Sequence, residues 1–383
     1  MTQSASPGIG FAFALQSAKG APETTNANFK RMRVVQAMLG SQQAMDQLPQ
    51  EVGSGYHSNA MYKVYVAGVG AVRALARLEG DIGYLLAAAI GNPDAAGASE
   101  TGPVYTTTFK PVNDYCDHPW LTARKFIPNC TQVSDYMAEE ISDAKLSAMS
   151  FSIGAGSPGI MDMALLAINS AFVDAGDASV WPDEMEAYEG TDSVVMASVT
   201  GTSALLTAIA GVDLGDGVAT DFGVPTIGIQ LSIANRFSGD GVRPELVIGS
   251  LGMDDLVLMG QTISFQLTYK WKNPQLYKAI YAFQGAGNSI SNTPTSQPLK
   301  TPVTITLRSP RYVGTSSTYE ELSFLLNSCT LDCPQGVVLS GGSFVTMQIN
   351  GVAEIGATPD AYATITLKNG TPYTDLGVTY TGA

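Results

Sequence analysis

Few stretches of this sequence have the residue types and spacing to do chemistry. The best is KVYVAGVGAVRALARLEGDIG, residues 63–83, where a β-rich run enters Gly68-Val69-Gly70 as a dinucleotide-binding turn would. That fingerprint needs a third glycine three residues past the second, and a helix that starts at once on the pyrophosphate. The third place holds Arg73, and no acidic residue follows on a second buried strand to bind a ribose. Val72, Ala74, Ala76 and Leu78 instead alternate with Arg73, Leu75 and Arg77, which predicts a continuing strand. Gly68 and Gly70 then mark a bulge or a close backbone approach.

Other chemistry is equally thin. The two histidines, His57 and His118, weigh against imidazole catalysis and His-rich metal sites. Of four cysteines, Cys329 and Cys333 have metal-like spacing, but Cys116 and Cys130 are remote, so plain thiols are expected. Glu139-Glu140, Asp183-Glu184-Glu186 and Asp254-Asp255 are neighbours that cannot face one another, and read as solvated faces or turns. DLGDGVATD (213–221) fails as a calcium loop because Val212, Leu214 and Gly223 occupy ligand places, leaving a tight turn. Asn129-Cys130-Thr131 matches a glycan acceptor, which means little without secretion. No catalytic, cofactor-binding or metal residue is assigned, and no enzyme is expected.

The elements that could hold a function are mostly strands. The chain has 383 residues with 40 Gly, 20 Pro and only 14% charged residues, which predicts a folded, β-rich, turn-rich protein of two domains. A formal charge of −14 opposes any grip on nucleic-acid phosphates. The N-terminal stretch has no basic residue before its short apolar run and makes a poor signal peptide. The uncharged run 193–212 is rich in Ser, Thr and Gly, and predicts two strands around Gly201 rather than a membrane span. A soluble protein made in the cytoplasm is expected.

One unit recurs. In the first half a strand leads to a helix from Asp81 through Ile82, Leu85, Leu86 and Ala89 to a stop at Gly91, then a polar loop and the strand 104–111. In the second half GQTISFQLTYKW (260–271) leads to a capped helix with Leu276, Tyr277, Ile280 and Tyr281 on one stripe, ending at Gly285. A polar loop and the strand 303–310 follow. Residues 145–167 and 330–353 each read as a hairpin. Each half opens with a strand pair, near 8–16 and 29–38, then near 194–207 and 224–237. This ordered match predicts a tandem duplication: a first domain over 1–175, an acidic linker over 176–192 and a second domain over 193–383. The segment from Asn113 to Asp143 has no evident counterpart. Residues 40–59 read as a polar loop suited to contacts between assemblies.

In the order of these segments the chain resembles the tail tube proteins of long-tailed, non-contractile bacteriophages. Four stretches carry the likeness: GIGFAFALQSAKGAPETTNANFKRMRVV; YKVYVAGVGAVRALARLEGDIGYLLAAAIG with VYTTTFKP; LSIANRF (231–237); and LTYKWKNPQLYKAIYA. The resemblance implies a mainly β fold with α: two tandem tail-tube-type β-sandwich domains, each flanked by a short helix, whose inward sheets form a ring-wide β-barrel. It implies self-association into stacked rings, with three chains making a trimeric pseudo-hexamer, in a virion tail. Further implied partners are a tape measure protein, tail terminator and baseplate proteins, and double-stranded DNA passing an acidic bore without specific binding. No cofactor and no membrane are implied. Two alternatives stand beside it: the tube of a contractile or secretion-type injection apparatus, and a cell-surface β-sandwich adhesive module.

Overall fold

The computed structural model describes residues 10–25, 28–49, 60–78, 80–91, 99–111, 118–127, 137–174, 205–209, 226–238, 253–270, 277–278, 280–281, 293–294, 298–338, 345–355 and 362–373. In chain order the strands of the first half are β1 (Gly10–Leu15), β2 (Lys30–Met32), β3 (Gln36–Gln47) and β4 (Met61–Leu75). Helix α1 (Ile82–Ile90) precedes β5 (Ser99–Thr101), β6 (Val104–Phe109), β7 (Leu121–Ile127), β8 (Met137–Gly154) and β9 (Ile160–Asp174). The second half carries β10 (Leu205–Ile209), β11 (Thr226–Phe237), β12 (Leu258–Lys270), β13 (Lys300–Tyr312), β14 (Tyr319–Asp332), β15 (Val337–Val338), β16 (Thr346–Ala353) and β17 (Ala363–Asn369). The protein is mainly β, and every described strand pairing is antiparallel.

The predicted alternation in residues 72–78 is what forms. Val72, Ala74, Ala76 and Leu78 are all buried, because a period of two sends every second side chain into the core. The predicted helix also forms, between Asp81 and Gly91. Gly68 and Gly70 answer to close approach: a Cβ at Gly68 would lie 2.7 Å from Ala167 Cβ, and one at Gly70 2.7 Å from Leu39 Cδ2. The bulge in this hairpin lies elsewhere, between Ala44 and Met45 of β3.

The pairings trace one path through both halves: β3 to β4, β4 to β9, β9 to β8, β8 to β11, β11 to β12, β12 to β16 and β16 to β14. The halves are therefore not separate sheets. Seven consecutive residue pairs, from Gly228↔Gly154 to Ala234↔Ala148, join β11 to β8. One core row crosses this seam as Met161, Phe151, Leu231, Phe265, Gly351 and Leu331, successive partners across the strands. Gly351 must lack a side chain, since a Cβ there would sit 2.2 Å from the Phe265 ring.

Two strands serve two partner sets each. β8 pairs with β7 over Met137–Ala144 and with β11 over Ala148–Gly154. Asp143 marks the change: it is buried with φ 48°, a left-handed conformation that Asp tolerates better than most residues. Its carboxylate accepts from Gly20 N and Asn169 Nδ2, both at 2.7 Å. β14 likewise pairs with β17 over Glu321–Leu326 and with β16 over Cys329–Asp332.

Three expectations are corrected by these pairings. β13 pairs with β10 and β14, as β7 pairs with β1 and β8; the earlier match of 303–310 to 104–111 is not a match of position. The segment from Asn113 to Asp143, which lacked a counterpart in the sequence, contains β7. Residues 40–47 are strand rather than loop, because β3 runs on to Gln47 against β4.

Residues 277, 278, 280 and 281 are helical, with Ile280 buried and the Tyr277 and Tyr281 rings 4.8 Å apart. The proposed cap at Asn273, Leu276, the stop at Gly285, the Gly201 turn, the 213–221 turn and the linker 176–192 lie outside the described residues. So do His57, Cys116, Asn129, Cys130 and the Asp183–Glu186 cluster.

Candidate assembly edges and the buried joint

Helix α1 shows how the halves are locked. Its sequence IGYLLAAAI is apolar almost all round, and eight of its nine residues are buried. It has no side-chain N-cap and no basic residue in its last turn. Its end groups still need partners, because terminal helix carbonyls and amides have none within the helix. The second half supplies them at the C-terminal end. Asn235 Nδ2 on β11 donates to Ala89 O and to Leu146 O of β8, both at 2.8 Å. Gln261 Nε2 on β12 donates to Ala89 O at 3.0 Å and Asn235 Oδ1 at 2.9 Å.

The other end is held from the last residue of β17 and the segment just after it. Asn369 Nδ2 donates to Leu78 O at 2.9 Å and to Tyr373 Oη at 2.8 Å. The Tyr373 hydroxyl donates to Gly80 O, and its ring meets Tyr84 edge-on at 5.4 Å. Gly83 makes room: a Cβ there would lie 2.5 Å from the Tyr373 ring. Burial pushes the Tyr373 phenol well above its ordinary pKa, so it remains a donor. A Tyr373→Phe variant is expected to lose about 1–2 kcal/mol, the usual cost of stranding buried partners. The shift in urea midpoint at unchanged slope measures it.

His118 lies in the same joint, fully buried, with Nε2 3.3 Å from Asn235 Nδ2 and its ring edge-on to Phe237 at 5.5 Å. Lys145 is buried beside it, its ammonium 4.1 Å from the Trp120 ring centre. Burial, with Lys145 adding to it, pushes the His118 imidazole down to about 3. It is neutral in the fold, while the unfolded chain takes up a proton near pH 6.5. Stability is then complete above about pH 6.5 and falls as the pH drops toward 3, by up to about 1.4 kcal/mol per unit. A His118→Gln variant is expected to lose that slope between pH 6 and 4.5; urea midpoints at several pH values test it.

Of the neighbouring acids, Glu139 and Glu140 are not the solvated face expected. Arg124 Nε on β7 meets Glu140 Oε2 of β8 at 2.5 Å, with side-chain exposures of 5% and 13%. Lys125 pairs with Glu139. Adjacent acids on β8 point to opposite faces, so each finds its own cation on β7. Asp255, by contrast, pairs with Lys19 at 3.3 Å in a partly exposed turn. Cys329 and Cys333 are buried free thiols, raised to about 12 and about 11 chiefly by burial. Among the described residues no three His, Cys, Asp or Glu side chains gather as a metal site. No helix among them is long and apolar enough to cross a membrane.

The remaining features are an outer sheet face and unpaired edges. Opposite the core row, successive partners read Arg73, Asp162, Ser150, Ser232, Ser264, Val352 and Thr330. The next row reads Ile160, Ser152, Gln230, Gln266, Asn350 and Asp332. Arg73 and Asp162 neutralise one another at 2.7 Å. These two rows are largely polar, with Arg73, Asp162 and Asp332 as their charged residues, and exposed Arg236 and Lys270 lie further along the same face.

β3 pairs with β4 on one side, and its other side has no strand among the described residues. The exposed Met38, Met45, Met61 and Tyr62 lie along this hairpin. At the other end of the path, β15 pairs only with β16 among the described strands, and Val338 is exposed. Open strand edges are templates for a further strand. Composition offered no signal for them, since an edge is defined by which partner is missing. No protein-family model matches this chain, and no curated protein matches it either.

Proposed function

We propose that this chain is a structural subunit that polymerises with its own copies into the stacked rings of a phage tail tube. The observation that carries the reading is the path of pairings. The order β3-β4-β9-β8 is repeated by β11-β12-β16-β14, and the two sets join edge to edge through β8 and β11. β13 already covers β14 as far as Thr330, so a seam like the one joining the two units within a chain can recur between chains with β3 of one copy against the β15 edge of the next. Three chains would then close six such units around a hole. In this reading the units are tandem tail-tube domains, and their shared sheet is the barrel wall.

The bore is proposed to be lined by the Ser, Gln and Asn rows rather than by acids. A phosphate backbone finds few cations to bind and no dense negative wall there. The acidic balance belongs to other surfaces.

Negative-stain imaging with mass measurement of the purified full-length chain tests this. Rings or tubes with three copies per ring are expected. A chain that stays monomeric at high concentration would sink the proposal, and six copies per ring would sink the pseudo-hexamer.

A further inference from the structure

We infer that the outer half of β9, Asn169–Asp174, is an acceptor edge for a strand donated by a second copy of this chain. The inference rests on the self-assembly reading above and gives it a second seam, apart from β3.

The observation is a contrast between two strands in matching places. β8 pairs with β9 in two stretches, Ala144–Ser152 against Ala167–Ile160, then Met137–Ser142 against Asp174–Asn169. β14 pairs likewise with β16 and then with β17. The inner stretch of β9 is covered by β4, as β16 is covered by β12. The outer places differ. β17 has a second partner, β6, through five residue pairs from Ile365↔Phe109 to Asn369↔Tyr105. The outer half of β9 has β8 alone among the described strands.

Burial follows the pairing. β17 alternates regularly between buried and half-buried residues. Asn169, Ser170, Ala171 and Phe172 are all exposed in a row, with Phe172 at 72%. An exposed aromatic beside backbone groups that no described strand pairs is a hazard unless something covers it.

The identity of the cover follows from β6. That strand lies in the connection between α1 and β7 of the first half, and it reaches the second half to pair with β17. The sequence counterpart of that connection precedes β13. Its counterpart acceptor is β9, which follows β8 as β17 follows β14. Within one chain the first half gives its strand forward to the second. A second copy's second half, giving forward in the same sense, meets β9 of this chain. This seam and the β3 seam would lie at the same copy–copy boundary, as β17–β6 and β11–β8 both join the halves of one chain.

The test places the photocrosslinker p-benzoylphenylalanine at position 172 of the full-length chain and pairs it with Phe172→Lys. Irradiated assemblies are expected to give an adduct between chains, mapped by mass spectrometry to the connection ahead of β13. The lysine variant is expected to keep the far-UV spectrum and melting temperature of the wild type, and to need at least about tenfold more protein to assemble. Adducts only within a chain, or assembly of Phe172→Lys at the wild-type concentration, would overturn the inference and leave the tube reading standing. A wild-type chain that never assembles overturns both.

Discussion

An Asn235→Leu variant is expected to lose about 3–5 kcal/mol of stability, the largest effect of any single change away from the packed rows. The amide donates to Ala89 O and Leu146 O and accepts from Gln261 Nε2. Leucine leaves two buried carbonyls and one side-chain donor without their partner, at about 1–3 kcal/mol for each stranded group. The carbonyl of Ala89 retains Gln261 and softens the loss. Asn235 is 6% exposed, so water cannot readily substitute. Urea unfolding should show the midpoint falling at an unchanged slope, and hydrogen exchange should rise in the last turn of α1 first. A loss below about 1 kcal/mol would mean that the joint repacks and that Asn235 is not its centre.

The second large effect is on assembly. Met38→Lys with Gln42→Lys on β3 is expected to abolish ring formation and leave the isolated chain as stable as before. Both positions are exposed on an edge strand, so the folded monomer loses no buried contact. Two ammonium groups on an edge oppose the approach of another strand, which is how natural proteins keep such edges unpaired. The critical concentration should rise at least about a hundredfold, equivalent to roughly 3 kcal/mol of seam energy. Sedimentation velocity and thermal melting on the same sample separate the two quantities. Normal rings from the double variant would show that β3 is not at the boundary.

These effects differ in how far the sequence foretold them. The alternation from Val72 to Leu78 and the helix between Asp81 and Gly91 were legible because each is a local pattern of apolar spacing. The same holds for Ile263, Phe265 and Leu267 on β12, all buried. β7 was not legible as a counterpart of β13. Its sequence LTARKFI carries two adjacent cations whose acids lie on β8, so no local pattern marks the strand as internal. Asn235 was visible only as the end of an apolar run. Its role depends on a helix terminus 146 residues away in sequence. The sequence hides the length of the β3–β4 hairpin because its outer residues are exposed on both faces, which erases the alternation that usually reveals a strand.

The double use of β8 has a mechanical consequence. One unbroken backbone carries the ladder to β7 and the ladder to β11, and α1 is gripped at both ends by the other half. No flexible joint is left between the halves along this seam. In a tube of the proposed kind, curvature would then accumulate at the boundaries between molecules, and each molecule would behave as a stiff stave.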